Sequence, residues 1–180
     1  MADQGFARLV SLACHDLRTP LATVNGFAKT LTRGQTLGER EAHFVDLIES
    51  AADQMTALLD LLGLAARIES GRYEPALAEA NTLDLVADGE GRGETIETDA
   101  QVMRRALDAL AHCAAVHGGG VEVSWKVDGR KFVLSPLTQE AAPVITGESP
   151  RDLGALVARL AIEALGGSLA VDGETLVVSI

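Results

Sequence analysis

Apolar side chains recur along the first seventy residues with the spacing of a helix rather than a strand. In the first segment they step alternately by four and three, at Phe6, Val10, Ala13, Leu17, Pro20, Val24, Phe27 and Leu31. A second segment repeats the pattern, at Phe44, Ile48, Ala51, Met55, Leu58, Leu62 and Ala65. This seam is typical of helices packed in a bundle. It predicts helices over about 3–32 and 39–68, joined at 35–38 into an antiparallel hairpin.

Each predicted helix has one apolar stripe, so a lone hairpin leaves much of its apolar surface in water. Pairing two hairpins into a four-helix bundle covers that surface. The pattern therefore predicts a homodimer.

The pattern changes after Gly71, and shorter elements follow. They are a first strand at 83–86, a helix over 99–116 begun by Asp99, a hairpin over 121–134 turning at Asp128-Gly129, a helix over 152–165, and a hairpin over 169–180 turning at Asp172-Gly173. The fold class predicted is α+β, with a helical hairpin over 1–70 and a small α/β sandwich over 71–180.

Composition limits the partners and the compartment. Hydrophobic residues make up 47% of the 180 residues and aromatics only 3%, so the core is built from Ala, Leu and Val. The net charge of −11 argues against nucleic acid or an anionic membrane as partner. No stretch approaches the roughly 18 apolar residues of a membrane span, and the N-terminus lacks the regions of a signal peptide. Cys14 and Cys113 lack metal-ligand spacing and indicate a reduced, cytoplasmic protein without a metal site.

One histidine stands out within the first predicted helix. His15 falls between two seam positions and should face solvent, with Thr19 one turn later on the same face. Pro20 interrupts the same helix, although an interior proline costs about 3 kcal/mol. An exposed nucleophile beside a tolerated proline suggests function, whereas His43, His112 and His117 are interpreted as solvated surface residues.

The string His15-Asp16-Leu17-Arg18-Thr19-Pro20-Leu21 resembles the phospho-accepting H box of two-component histidine kinases, and the resemblance extends through the second helix to Gly71. It implies that His15 accepts a phosphoryl group, that Asp16 orients and activates the ring, and that Thr19 takes part in dephosphorylation. It also implies a four-helix dimer.

Two features around His15 leave alternatives open. Arg18 either neutralises the transferred phosphoryl group or pairs with an acidic residue such as Asp16 or one on the second helix. A docking surface for a partner helix is predicted from small and apolar neighbours. Its residues are Leu12, Leu21, Ala22 and Gly26, although Leu12 and Leu21 also fit the hairpin core.

The second domain resembles the ATP-binding domain of the same kinases but lacks its ligand residues. Ala109 and Cys113 stand where that family carries two asparagines that hold Mg²⁺ and phosphate. The segment 135–140 lacks the expected aspartate and glycines. Asp152 replaces a glycine that faces phosphate at a helix N-terminus. These losses predict that the domain binds no ATP.

The combination resembles dimeric histidine phosphotransferases, which look like degenerate kinases. It implies that His15 carries a phosphoryl group between aspartates of response-regulator receiver domains, with Mg²⁺ supplied by the receiver and no cofactor of its own. Two alternatives remain at this point. One is an ATP-dependent kinase core with a divergent nucleotide site, and the other is a non-catalytic scaffold or inhibitor with a kinase-like surface.

Overall fold

The structure is a computed structural model that describes residues 4–34 and 37–180. In the first helix, the side chains of residues 4–9, 11–13, 16, 33 and 34 lie outside the described part. The chain forms two compact units, divided between Arg72 and Tyr73. The first unit is helical, and the second combines helices with β-strands.

The first unit is a hairpin of two 31-residue helices, α1 (Gln4–Gly34) and α2 (Glu39–Glu69). Its interior consists of small and medium-sized side chains that repeat mostly every seven residues. These are Cys14, Leu21 and Ala28 on α1, and Val45, Ala52, Leu59 and Ala66 on α2. A seven-residue repeat keeps one narrow stripe of each helix facing the other. The predicted helical hairpin is therefore confirmed.

Most of the seam predicted from the sequence is not the stripe buried inside the hairpin, although its members Val10 and Leu62 pack against the buried cluster. Its large side chains are between 43% and 69% exposed, namely Leu17, Val24, Phe27, Leu31, Phe44, Ile48, Met55 and Leu58. Exposed and buried residues are often neighbours, as in Phe27-Ala28 and Leu58-Leu59, which places the two stripes about 100° apart on each helix. The side chains of Phe6 and Ala13, which belong to the predicted seam, lie outside the described part. Each helix thus has two apolar stripes, and one of them lies on the surface of the hairpin.

The second unit contains seven strands, three α-helices and one short 3₁₀ turn. In chain order they are β1 (Ala78–Asn81), the 3₁₀ turn (Thr82–Leu85), β2 (Glu90–Gly93), β3 (Thr95–Thr98), α3 (Ala100–His117), β4 (Ser124–Gly129), β5 (Lys131–Ser135), α4 (Ala142–Thr146), α5 (Leu153–Ala164), β6 (Ser168–Asp172) and β7 (Thr175–Ser179). Five strands form a mixed sheet in the order β2-β4-β5-β7-β6, in which only β2 and β4 are parallel. Strands β1 and β3 form a separate antiparallel pair.

The core of the second unit lies between one face of the sheet and its helices. Buried and exposed residues alternate along β4, β5 and β7, which is typical of a sheet covered on one face. The buried set includes Trp125, Val127, Phe132, Leu134, Leu176 and Val178 on the strands, and Met103, Leu107, Leu110, Ala155, Ala158 and Ile162 on α3 and α5. The α+β fold class is therefore confirmed.

Both predicted helices of this unit are present and begin at the predicted residues. Asp99 caps α3 by accepting a hydrogen bond from the Val102 N–H at 3.1 Å, and Asp152 caps α5 through the Ala155 N–H at 2.9 Å. An aspartate at this position satisfies a backbone N–H group that lacks a partner in the helix.

Asp99 also fixes the chain that enters the second unit. Its second carboxylate oxygen accepts hydrogen bonds from the Tyr73 hydroxyl at 3.0 Å and from the Ala76 N–H at 3.1 Å. The residue is only 7% exposed, so these partners compensate for the burial of a charge.

Thr82 makes a second buried polar contact. Its hydroxyl donates to the Gly129 carbonyl at 2.7 Å and accepts from the Glu94 N–H at 2.9 Å, and the residue is fully buried. The side chain thereby joins the 3₁₀ turn to the end of β4.

Both predicted hairpins form, but each turn is displaced by one residue. Asp128 pairs with Lys131 and Asp172 with Thr175, so the two-residue loops begin at Gly129 and Gly173. These glycines have φ values of +60° and +56°. The second loop residues, Arg130 and Glu174, do not have positive φ, so each loop fits a type II′ turn.

The predicted strand at 83–86 is wrong. The Asn81 side chain accepts a hydrogen bond from the Leu83 N–H at 2.9 Å, and this capping contact starts a 3₁₀ turn instead. The elements not predicted are β1, β2, β3 and α4. Strand β2 consists of Glu-Gly-Arg-Gly and pairs through its backbone, so it has no apolar alternation to detect.

Candidate functional site

His15 lies on an exposed stripe of α1 together with small and polar side chains. Thr19, Ala22 and Gly26 follow at four, seven and eleven residues, and all four residues are exposed. At about 100° per residue they fall within roughly 60° of helical rotation, so they share one face. A methyl group added at Gly26 would meet no atom within 4 Å. The face therefore combines an imidazole, a hydroxyl and open space for a partner.

This stripe is distinct from both apolar stripes of the hairpin. His15 follows buried Cys14 and precedes exposed Leu17, each at least about 100° away around the helix. Helix α1 runs without interruption through Pro20, which occupies an exposed position one residue after Thr19. The histidine can therefore meet a partner without disturbing the hairpin core.

Arg18 pairs with the second helix. Its Nη2 donates to Asp60 Oδ1 at 2.8 Å, and the two side chains are 42% and 44% exposed. The structure therefore shows one of the two predicted roles of Arg18, an ion pair with an acidic residue of α2.

The predicted docking residues divide into three groups. Leu21 is 8% exposed and packs with Cys14, Ala52 and Leu59, so it belongs to the hairpin core and is not available to a docking partner. Ala22 and Gly26 are on the surface. Leu12 lies outside the residues whose side chains are described, and so does Asp16, which was predicted to orient the His15 ring.

In the second unit, the positions that should hold nucleotide ligands carry other chemistry. Ala109 lies beside Gly154, and a methyl group added at Gly154 would lie 3.4 Å from the Ala109 Cβ. Cys113 is fully buried. Burial, followed by the negative charge of Asp152 and a hydrogen bond to its carboxylate, raises the pKa of the Cys113 thiol to about 12. The thiol is neutral at physiological pH and is not an activated nucleophile.

Segment 135–140 is fixed by contacts within the second unit. Leu137 is buried, and its N–H donates to the Glu174 carbonyl at 2.7 Å. Thr138 follows and accepts a hydrogen bond from the Ala141 N–H at 3.3 Å, just before α4. These residues therefore have structural roles in the turn that leads from β5 to α4.

One group that the sequence did not predict involves His117. The structure brings this histidine within 3.5 Å of Asp152, with Cys113 one turn before it on α3. Its side chain is 26% exposed, which differs from the predicted solvated residue. The Cys113 and His117 spacing is visible in the sequence, but Asp152 belongs to another helix, so spacing alone did not reveal the group.

The comparisons with known proteins agree with the helical hairpin. Residues 7–71 match the family model of the His Kinase A (phospho-acceptor) domain. The chain is also 37% identical over 128 residues to the probable sensor histidine kinase TcrY of Mycobacterium tuberculosis (strain ATCC 25618 / H37Rv), covering 62% of this chain and 27% of that protein. The chain is similar to two-component histidine kinases. Sensor protein DivL of Caulobacter vibrioides (strain ATCC 19089 / CIP 103742 / CB 15) is 25% identical over 116 residues, which cover 63% of this chain and 15% of DivL.

Solved structures show the same fold for this chain. A crystal structure of full-length ShkA in complex with AMPPNP matches with a TM-score of 0.68 and 19% identity, covering 95% of this chain and 44% of ShkA. The Acinetobacter baumannii histidine kinase AdeS matches with a TM-score of 0.53 and 14% identity, over 91% of this chain and 94% of that one. The chain spans less than a third of the length of the curated relatives named above. Among the described residues, we find no helix with the length and apolar composition of a membrane span.

Proposed function

We propose that this chain is a histidine phosphotransferase that passes a phosphoryl group between response-regulator receiver domains through His15. The observation that carries the proposal is the exposed stripe of His15, Thr19, Ala22 and Gly26 within a region that matches the phospho-acceptor domain family. Small neighbours leave room for a receiver to bring its aspartyl phosphate to the imidazole. Phosphoryl transfer depends mainly on such positioning and on charge neutralisation.

The transfer needs few groups from this chain. A neutral imidazole nitrogen of His15 attacks the phosphorus of the aspartyl phosphate, forming an N–P bond as the O–P bond breaks and the receiver carboxylate leaves. A second receiver reverses the step and takes the phosphoryl group onto its own carboxylate. By family resemblance, Asp16 orients the ring and Thr19 assists hydrolysis. In this proposal the receiver domain, rather than this chain, supplies the Mg²⁺ ion for the transfer.

The contacts of Asp152 support a role without ATP. Its carboxylate lies at the N-terminus of α5 and accepts a hydrogen bond from the Ala155 N–H. A backbone N–H at a helix N-terminus is the kind of group that binds phosphate in a nucleotide site. A second anion there would meet like charge. The buried thiol of Cys113 is also a poor ligand for Mg²⁺, which prefers oxygen.

We also propose that the chain acts as a homodimer. Nine large apolar side chains are exposed among the described hairpin residues, namely Leu17, Val24, Phe27, Leu31, Phe44, Leu47, Ile48, Met55 and Leu58. Large apolar side chains exposed in this number are typical of an interaction site. A second hairpin would cover it and complete a four-helix bundle, while the His15 stripe, on another face, remains accessible.

An ATP-dependent histidine kinase core is the second candidate. The similarity to the sensor histidine kinase TcrY, and the fold shared with ShkA, whose structure contains AMPPNP, favour it. On this hypothesis the second unit binds nucleotide without the two asparagines that the kinase family carries at the positions of Ala109 and Cys113.

The donor of the phosphoryl group separates the two candidates. Receiver domains from the source organism, labelled with radioactive acetyl phosphate, are mixed with the chain, and labelled Mg-ATP is supplied in a parallel reaction. We expect label on the wild type from a receiver and not from ATP, lost in His15→Ala and kept in His43→Ala, which alters an exposed histidine of α2. Label from ATP would establish the kinase instead, and label from neither donor would favour a non-catalytic scaffold.

A further inference from the structure

Three side chains with metal-ligating atoms meet where the end of α3 approaches the start of α5. They are Cys113 and His117 on α3, and Asp152 at the N-cap of α5. The thiol sulfur, an imidazole nitrogen and a carboxylate oxygen lie within 4.8 Å of one another. This group belongs to the second unit, whereas the His15 stripe belongs to the first, and the proposed phosphotransfer step does not use it.

The local structure fixes each of the three side chains. Cys113 and His117 are four residues apart on a regular helix, so they project from the same face. Asp152 uses Oδ1 to accept the Ala155 N–H at 2.9 Å, which leaves Oδ2 facing His117 Nε2 at 3.5 Å. The cap of α5 thereby aims one carboxylate oxygen at the other two ligand atoms.

The spacing fits a small tetrahedral metal ion. Zn²⁺ binds sulfur at about 2.3 Å and nitrogen or oxygen at about 2.0–2.2 Å, so its ligands lie roughly 3.3–3.6 Å apart. The distance of 3.5 Å between His117 and Asp152 falls in this range. The distances from the Cys113 sulfur to the other two ligand atoms are at most 4.8 Å. They need to shorten by no more than about 1.5 Å to reach the spacing around Zn²⁺.

The ligand types select the metal. Cysteine, histidine and carboxylate together suit Zn²⁺, whereas Mg²⁺ prefers oxygen ligands alone. Cys113 is fully buried, while the side chains of His117 and Asp152 are 26% and 18% exposed. The sulfur is therefore shielded, and the other two ligands leave a path from solvent. Three protein ligands leave the fourth position open to water.

We infer that Cys113, His117 and Asp152 form a Zn²⁺ site that joins α3 to α5. On binding, the sulfur–metal bond replaces the sulfur–hydrogen bond of the thiol, and the proton leaves to solvent. The ion neutralises the charge of the Asp152 carboxylate. It also links α3 to α5 more strongly than the contacts of Asp152 with Cys113 and His117 do without a metal. Zn²⁺ binding should therefore stabilise the second unit.

The test uses the full chain, prepared free of metal under reducing conditions and supplied with Zn²⁺ alone, Mg²⁺ alone or Co²⁺ alone. We expect one Zn²⁺ per chain by equilibrium dialysis, a higher melting temperature with Zn²⁺ and no change with Mg²⁺. Co²⁺ should give the charge-transfer absorption of a cobalt–thiolate bond. Substitution of a residue that only holds a metal ligand in place typically weakens binding roughly 10- to 100-fold. Substitution of Cys113, His117 or Asp152, which contact the ion directly, should weaken Zn²⁺ binding by more than this.

The variants are Cys113→Ala, His117→Gln and Asp152→Asn, the last of which keeps an oxygen to cap α5. Cys14→Ala, at the other buried cysteine, and His112→Gln, at an exposed histidine on α3, are matched controls that should bind like the wild type. Should Cys113→Ala fail to fold, as judged by circular dichroism, the half-buried His117 supplies the same test. Absence of stoichiometric Zn²⁺ on the wild type, or equal binding by His117→Gln, would overturn the site and leave a hydrogen-bonded cluster without an ion.

Discussion

Replacing Phe27 by alanine should weaken the proposed dimer without unfolding the hairpin. Phe27 is 69% exposed on α1, beside buried Ala28, so its ring contributes little to the interior of a single hairpin. If the exposed stripe pairs with a second copy, the ring becomes buried only on dimerisation. The substitution therefore acts on association rather than on folding.

The exposed fraction gives the size of the effect. Complete burial of a phenylalanine side chain contributes about 1.5–3 kcal/mol, so covering the exposed 69% contributes about 1–2 kcal/mol per chain. Both copies lose this term, and the dimer is weakened by about 2–4 kcal/mol. At 1.4 kcal/mol for each factor of ten, the dissociation constant should rise roughly 30- to 700-fold.

Sedimentation equilibrium over a dilution series measures this constant, and circular dichroism verifies that the helices remain. Leu77→Ala is the matched control, because Leu77 is 53% exposed but lies in the second unit. We expect it to dimerise like the wild type. A wild type that stays monomeric at all concentrations, or a Phe27→Ala dimer as tight as the wild type, would refute the assignment of the stripe as the dimer interface.

Three further substitutions test polar contacts. Thr82→Val should lower the free energy of unfolding of the second unit by about 1–3 kcal/mol, because its two buried backbone contacts lose their partner. Asp99→Ala should lower it by about 2–4 kcal/mol, because one change removes the cap of α3 and two other hydrogen bonds. Arg18→Ala should lower hairpin stability by less than about 1 kcal/mol, because solvent screens its ion pair with Asp60.

Urea unfolding measures these energies, with the buried Trp125 reporting on the second unit by fluorescence and helicity reporting on the hairpin. Thr175→Val is a control whose exposed hydroxyl bonds only the Asp172 carbonyl among the described contacts, and it should change stability by about 0.5 kcal/mol or less. A Thr82→Val effect no larger than this control, or an Arg18→Ala effect as large as that of Asp99→Ala, would contradict these assignments.

The helical part of the fold could be predicted because its signal is local. Apolar spacing gave the hairpin, and the two capping aspartates gave the starts of α3 and α5. The sequence did not reveal which stripe lies inside the hairpin. Cys14 and Ala28, which are buried, are smaller than exposed Phe27 and Leu31, so a choice based on size and hydrophobicity selects the outer stripe.

The β-structure was predictable only where partner strands are adjacent in sequence. The two hairpins could be predicted because apolar and polar residues alternate on both sides of a turn that contains glycine. Strand β2 pairs with β4 more than thirty residues later and contains two glycines, including Gly91 at φ +122°. A Cβ atom there would lie 2.1 Å from the Val127 carbonyl oxygen, so close backbone approach, which no hydrophobic pattern records, selects this residue.

The candidate site was predictable within one helix and not between helices. Positions 15, 19, 22 and 26 share a face by helical geometry alone, and the structure exposes them together. The partner of Arg18 is Asp60, 42 residues away, which the sequence could not select among several acidic residues. The contact of Cys113 and His117 with Asp152 is similarly set by how α3 packs against α5.

The most direct test of the proposed function is a complete relay between two receivers. A receiver labelled on its aspartate is mixed with an unlabelled second receiver of different size and a catalytic amount of the chain, without ATP. We expect label to move to the second receiver with the wild type and with His43→Ala, and to stay on the first receiver with His15→Ala. Label that never moves with the wild type, or that moves equally with His15→Ala, would contradict it.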